Sequence, residues 1–183
     1  RYVDDIIVTS KNVGQVITQQ LHIKNKSPKI TLARHGDFDT WLSQHNKNIK
    51  NKSKIRKKID VSMTDKVILW AGGSGDFLAN DVEEQGFLKF LKTFKLFKDK
   101  FSLRISPHPG LTCYNPHKQQ HILHKYYVNN LLKEGFTPEE INKIFISYDT
   151  NMLASIATAC VSISSTTGLQ AIFLGIPAKN VFI

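Results

Sequence analysis

Cysteine is scarce in this sequence: among 183 residues there are only Cys113 and Cys160, in no CxxC spacing. That excludes a disulfide framework and a thiolate zinc site, and a reduced, cytoplasmic setting is the simplest reading. Long apolar runs are also lacking. None approaches the roughly 20 residues needed to span a bilayer, and no signal-peptide pattern is visible in the first residues. Acidic side chains are few, 15 against 25 Lys and Arg, for a net charge of +10. Seven of those cations fall in one run, KNIKNKSKIRKK at positions 47–58, and setting it aside lowers the balance from +10 to +3. The excess is therefore local, and such a run reads first as a solvated linker or helix face. Peripheral contact with anionic membrane lipid through 47–58 is the second reading, since clustered Lys and Arg gain about 1 kcal/mol each near such a surface. None of the usual nucleic-acid recognition modules is visible, which argues against a nucleic-acid partner.

What is present is a regular alternation of β-branched apolar runs with segments of helical period, the pattern of an α/β fold with an open parallel sheet and helices on both faces. Strands are expected at Asp5–Thr9, Lys29–Ala33, Lys66–Trp70, Ser102–Ile105, Lys143–Ser147, Cys160–Ser164 and Asn180–Ile183. Between them, Phe87, Phe90, Leu91, Phe94 and Phe97 recur at helical spacing and read as core, behind a capping-box start at Asp81 and Glu84. Asn115–Pro116 and Thr137-Pro138-Glu139-Glu140 each place a capping residue before proline, predicting two further helix starts. Leu169, Ala171, Ile172 and Leu174 predict a short helix stopped by Gly175 and Pro177.

With 41% hydrophobic residues, the chain can bury one good core. The basic stretch divides it into an opening strand-helix-strand piece, 1–45, a basic linker, 46–60, and a Rossmann-like block, 61–183. The opening on Arg1 with a strand pattern almost at once reads as a piece of a longer protein.

In an open parallel sheet, ligands bind outside the carboxyl ends of the strands, so the loops there are the candidate sites. KVILW runs into Ala71-Gly72-Gly73-Ser74-Gly75-Asp76, whose glycines let backbone N–H groups approach a phosphate or sugar; a plain flexible loop is the equal alternative, and neither the P-loop nor the GxGxxG pattern is met. FSLRI ends in Ser106-Pro107-His108-Pro109-Gly110, where two prolines fix the backbone around one histidine and leave its imidazole little freedom. CVSIS leads into Ser164, Ser165, Thr166 and Thr167 at a helix start, where hydroxyls, free N–H groups and the helix dipole together suit a pyrophosphate; ordinary helix capping is the alternative. His117, His121 and His124 fall at i, i+4 and i+7 of an expected helix. The exposed face of that helix is the favoured reading over a metal site, because Lys118 stands where the HExxH pattern needs glutamate.

Together the PHPG turn and the later phrase SISSTTGLQAIFLGIPA resemble the paired HP and Ser/Thr-rich motifs of bacterial GT-B-type glycosyltransferases, including sialyltransferase-like and capsule-polysaccharide enzymes. The resemblance covers roughly 66–183, and DDIIVTS with ITLARHGDFDTW looks like the end of the first domain and the crossing into the second. It implies the C-terminal, donor-binding half of a GT-B fold. His108 would contact the donor phosphate as the catalytic group; Ser164, Ser165, Thr166 and Thr167 would bind the phosphates or leaving nucleotide. Gly72, Gly73 and Ser74 would line the cleft, with Arg34 a further candidate to reach it. The implied partners are a nucleotide sugar and a glycan or lipid-linked acceptor, with no obligatory cofactor, in the cytoplasm or at the inner membrane face. Most of the family's acceptor domain, and with it the usual acidic motif supplying the general base, has no counterpart here beyond the end of that domain and the crossover at 1–45, so this stretch by itself is expected to transfer no sugar. Two alternatives stay open: a nucleotide-sugar 2-epimerase-like enzyme, which would need an acidic partner that neither motif loop supplies, and a non-catalytic ligand-binding domain of the same fold.

Overall fold

Three short, largely apolar runs, VILWA, SLRIS and ACVS, come together with the edge segment AKN as one sheet in a computed structural model that describes residues 5–8, 15, 29–32, 38–73, 80–107, 112–115, 120–123, 125–145, 150–163 and 165–181. The chain divides into two compact units, Arg1–Thr40 and Trp41–Ile183. In the first, β1 (Asp5–Val8) pairs in parallel with β2 (Lys29–Leu32).

The later elements are α1 (Phe38–Lys50), α2 (Lys52–Lys58), β3 (Val67–Ala71), α3 (Asn80–Lys95) and β4 (Ser102–Ser106). A hairpin of β5 (Thr112–Asn115) and β6 (Gln120–Leu123) precedes α4 (Lys125–Lys133), α5 (Pro138–Ile144) and α6 (Thr150–Ile156); β7 (Ala159–Ser162), α7 (Thr166–Phe173) and β8 (Ala178–Asn180) close the series. The sheet order is β4-β3-β7-β8, with every pairing parallel. Side chains of β3 alternate between two cores, as the two-residue period of a strand requires. Trp70 joins Phe87, Phe90, Leu91, Phe94, Leu103, Ile105, Tyr127 and Leu131 under α3, α4 and α5. Val67, Leu69 and Ala71 join Ile55, Ile59, Leu153, Ala154 and Ala171 under α2, α6 and α7. Helices thus cover both faces, the Rossmann-like α/β arrangement read from the sequence. On the first face, an open apolar groove of about 730 Å³ lies between α3 and the β7–β8 edge, bordered by Ile68, Phe90, Phe94, Val161 and Val181.

Two expected helix signals act as read. Thr137 Oγ1 accepts from the Glu140 N–H at 3.2 Å while the Glu140 carboxylate accepts from the Thr137 N–H at 2.7 Å, a reciprocal cap on α5. Gly175, at φ +75°, ends α7, and the next N–H, that of Ile176, returns to the Ala171 carbonyl.

Four expectations are corrected. Lys143–Ser147 is not a strand: α5 runs to Ile144, and only Phe145 bridges to Ile105. The helix expected from Asn115–Pro116 is replaced by the β5–β6 hairpin, in which Tyr114 pairs with His121. His121 therefore stands on a strand, and the three-histidine helix face does not form; His117 and His124 lie outside the described residues. The glutamate expected to close a capping box with Asp81 is turned to another helix, since Glu84 accepts from Asn130 Nδ2 of α4 at 2.9 Å and α3 already begins at Asn80.

The fourth correction concerns the basic run, which is helical and packed. Ile55 and Ile59, one turn apart, are buried in the second core, and Asn48 donates to Ser155 Oγ of α6 at 3.3 Å. Arg56 is 2% exposed. Its guanidinium donates to the carbonyls of Ser62 (2.8 Å), Ile156 (3.2 Å) and Asp65, joining α2, the approach to β3 and the end of α6. A count of charges hid one structural arginine among solvated lysines, because Lys47, Lys50, Lys54 and Lys57 are exposed as expected.

Arg56→Ala is expected to lower the unfolding free energy by about 3 kcal/mol, because three inward carbonyls lose a charged donor. Changing Lys47, Lys50, Lys54 and Lys57 together to Ser should cost less than about 1 kcal/mol. Chemical denaturation of the two proteins checks the contrast.

Candidate functional site

The chain leaves β3 outward to β4 on one side, then returns to β7 and β8 on the other. The direction of winding reverses between β3 and β7, and in an open parallel sheet the crevice for a ligand lies at the carboxyl ends of the strands flanking such a reversal. Register makes those ends level: Ala71 pairs with Ser106 of β4 and with Ser162 of β7. Gly72 and Gly73 follow β3, and Ser165, Thr166 and Thr167 follow β7, so these five candidate residues leave the same edge of the sheet. Pro107 follows β4. His108, Ser74 and Ser164, like Arg34, lie outside the described residues.

The glycine loop is anchored on both of its first two N–H groups. Gly72 donates to the Ser106 carbonyl at 3.0 Å, and Gly73 donates to Glu83 Oε2 at 3.2 Å. Both N–H groups are thus directed into the protein rather than held free for an anion. Glu83 projects from α3, and its other oxygen accepts from Tyr127 of α4 at 2.9 Å. Tyr127 in turn accepts from Trp70 Nε1 of β3 at 3.3 Å. This chain of hydrogen bonds ties α3, α4 and β3 to the mouth of the candidate site. Burial raises the Glu83 carboxyl above its ordinary value, against the opposing pull of the donors Tyr127, Gly73 and Trp70.

At the β7 end, Ser165 caps α7: its hydroxyl accepts from the Thr167 N–H at 3.3 Å. The capping reading of this serine is therefore realised, and its hydroxyl proton remains a donor. Thr166 is exposed, whereas Thr167 and Gly168 are buried against the sheet. One turn on, Gln170 is 3% exposed and its Nε2 has no hydrogen-bond partner among the described residues. On the β4 side, Ser106 Oγ lies 2.9 Å from Thr150 Oγ1 at the start of α6. Cys160, inside β7, is a core residue; burial pushes its thiol up to about 12, which removes it as a nucleophile. Among the described residues no group of three or more His, Cys, Asp or Glu is placed to hold a metal ion, and no helix is long and apolar enough to cross a membrane.

Glu83, Tyr127 and Thr150 were not singled out in the sequence. Glu83 did leave a trace: it sits four residues before Phe87 and seven before Phe90, on the apolar stripe of α3, where a carboxylate has no reason to be unless it has partners inside.

No family model matches the chain, and no curated protein matches it either. Among solved structures it is similar to the wall teichoic acid polymerase TagF. With TagF soaked for 30 minutes with CDPG, the identity is 14% and the TM-score 0.51, over 96% of this chain and 37% of that one. A 15-minute soak of the same polymerase gives 14% identity and a TM-score of 0.52 with the same coverage. KpsC, a β-Kdo 2,7-transferase of Thermosulfurimonas dismutans, aligns at 13% identity over 94% of this chain and 69% of its own, but a TM-score of 0.38 carries no argument. At such identities the likeness establishes the fold alone, the Rossmann-like α/β arrangement that this chain shares with part of TagF, of which it spans 37% of the length.

The raised Glu83 carboxyl sets a direction for stability against pH. The unfolded chain loses this proton near the ordinary value of 4.5, and the folded chain only above it. The group's contribution is therefore full below 4.5 and is lost as pH rises through the folded value. Glu83→Gln is expected to lack that loss, so its stability relative to the parent should improve from about pH 4 to pH 7. Denaturant melts at several pH values measure it.

Proposed function

We propose that the chain is the donor-binding half of a bacterial GT-B-type glycosyltransferase that moves a sugar from a nucleotide-activated donor to a surface-polysaccharide or lipid-linked acceptor. The observation that carries this reading is the convergence of Gly72–Gly73 and Ser165–Thr167 at the winding reversal of a parallel sheet, where such folds hold nucleotides. The likeness to a polymerase of wall teichoic acid, solved after soaking with CDPG, supports a nucleotide-activated donor and a cell-surface polymer as product. As the bond to the donor phosphate breaks, the departing group gains negative charge. The N-terminus of α7, with the hydroxyls of Ser164, Ser165, Thr166 and Thr167, stabilises that charge through hydrogen bonds and the helix dipole. His108, on the loop after β4, is the group assigned to the same phosphate. No metal is required by this division of roles. The exposed lysines of α1 and α2 are the surface assigned to contact with an anionic membrane near the acceptor.

A nucleotide-sugar 2-epimerase of the same architecture is the second reading, and product analysis distinguishes them: free nucleotide with a glycosylated acceptor, or an epimerised donor. His108→Ala and the pair Ser165→Ala with Thr166→Ala should each weaken binding of the same nucleotide about tenfold to a hundredfold, the loss of a hydrogen bond to a charged phosphate. Calorimetric titration with CMP, UDP, GDP and CDP compounds reads this. Unchanged affinity in both variants, with the fold intact, leaves the turn and cap roles alone in place.

A further inference from the structure

We infer that Glu83 is a positioning residue of the donor site, holding the Gly72–Gly73 peptide so that its carbonyl, not its N–H, is offered to the ligand. The inference rests on the donor-site reading above. A trans peptide is planar with N–H and C=O opposed, and the chain contains no cis peptide among its described residues. With the Gly73 N–H directed at Glu83 Oε2, the Gly72 carbonyl must be directed away from that carboxylate. A peptide flanked by two glycines has no Cβ on either side to resist a flip, so its orientation has to be fixed from outside. Glu83 supplies that fixture and is itself fixed by Tyr127, which Trp70 holds in turn.

The position is costly, which gives the bond significance beyond packing. Glu83 is 2% exposed and is the one buried acidic side chain among the described residues. Its carboxyl meets burial and three neutral donors, Tyr127, Gly73 and Trp70; Tyr127 of α4 is the titratable group among them, and the neighbouring Glu84 is turned to Asn130. A buried carboxylate with no cation beside it among the described residues destabilises the fold relative to an apolar residue of its size. What it secures is a carbonyl acceptor at the end of β3, which suits a hydroxyl or amino group and repels phosphate. The Gly72–Gly73 peptide then reads the hydroxyl- or amine-bearing part of the donor, and the phosphates fall to the start of α7.

Glu83→Leu and Glu83→Gln, titrated with UDP-glucose, GDP-mannose, CDP-glucose, CMP-sialic acid and inorganic pyrophosphate, test this. For whichever nucleotide sugar binds the parent chain, Glu83→Leu should weaken binding about tenfold, the loss of one hydrogen bond to the ligand, with pyrophosphate affinity unchanged. Glu83→Gln, whose amide oxygen can still accept from Gly73, should keep nucleotide-sugar affinity. In the parent, the Gly73 amide resonance should titrate with a midpoint above 4.5, and in Glu83→Gln it should not. Equal weakening toward pyrophosphate and nucleotide sugar, a Gly73 amide indifferent to pH, or full affinity in Glu83→Leu each overturns the inference while leaving the donor site standing. Failure of every nucleotide sugar to bind the parent chain removes the donor site, and this inference with it.

Discussion

Strand β3 is buried on both faces and paired on both edges, and the placement of the candidate site follows from where it stops. Its parallel partners β4 and β7 end level with it, at Ser106 and Ser162 opposite Ala71. A parallel sheet cannot turn its strands back by tight hairpins, so each strand end must open into a loop on the same edge. Gly72, Pro107 and Ser165, which follow three strands far apart in sequence, thereby leave one edge of the sheet. Trp70, fully buried next to the end of this strand, carries the same constraint sideways: it stacks on Phe90, with ring centroids 4.9 Å apart, and its indole N–H begins the hydrogen-bonded series through Tyr127 to Glu83 and Gly73.

The opposite edge of the sheet is held by two buried arginines, with the Asp65 carboxylate accepting from the N–H and hydroxyl of Ser62 in the segment that leads into β3. Arg56 binds three carbonyls, and Arg104 of β4 binds the carbonyls of Ile59, Asp60 and Leu103. Both arginines gather the 59–65 segment that feeds β3, where Asp60 takes the unusual φ of +52°. Planar guanidinium groups with several donors can satisfy inward carbonyls that a lysine could not. The segment with the highest charge in the chain therefore fixes the start of the strand on which the site depends.

How much of this was legible in sequence depended on whether the signal was local. The parallel sheet was legible, because VILWA, SLRIS and ACVS are short, apolar and β-branched or aromatic in ways no amphipathic helix is. The capping box at Thr137 and the stop at Gly175 were legible because the chemistry lies within four residues. The β5–β6 hairpin was not: Asn115–Pro116 is a sound helix start by local rules, and strand pairing with Gln120–Leu123 overrode it. The packed arginine was hidden for a different reason, since burial is decided by Ile156 and Asp65, far away or across a turn. Of the candidate residues, Gly72, Gly73, Ser165, Thr166 and Thr167 could be named from the sequence because glycines and hydroxyls at strand ends announce themselves. Glu83 was missed because its partners, Tyr127 and Trp70, come from elements that only the fold brings together, although its place among the phenylalanines of α3 was visible.

The central claim is that one crevice, at the winding reversal between β3 and β7, receives a nucleotide-activated donor. Backbone amide shift mapping of the isotope-labelled chain during titration with nucleotide sugars tests it most directly. The account predicts that the shifts converge on Gly72, Gly73, Ser165, Thr166 and Thr167 and grow together with one affinity. Shifts centred instead on the apolar groove between α3 and β8, or on the lysines of α1 and α2, with the five strand-end residues unmoved, would contradict it.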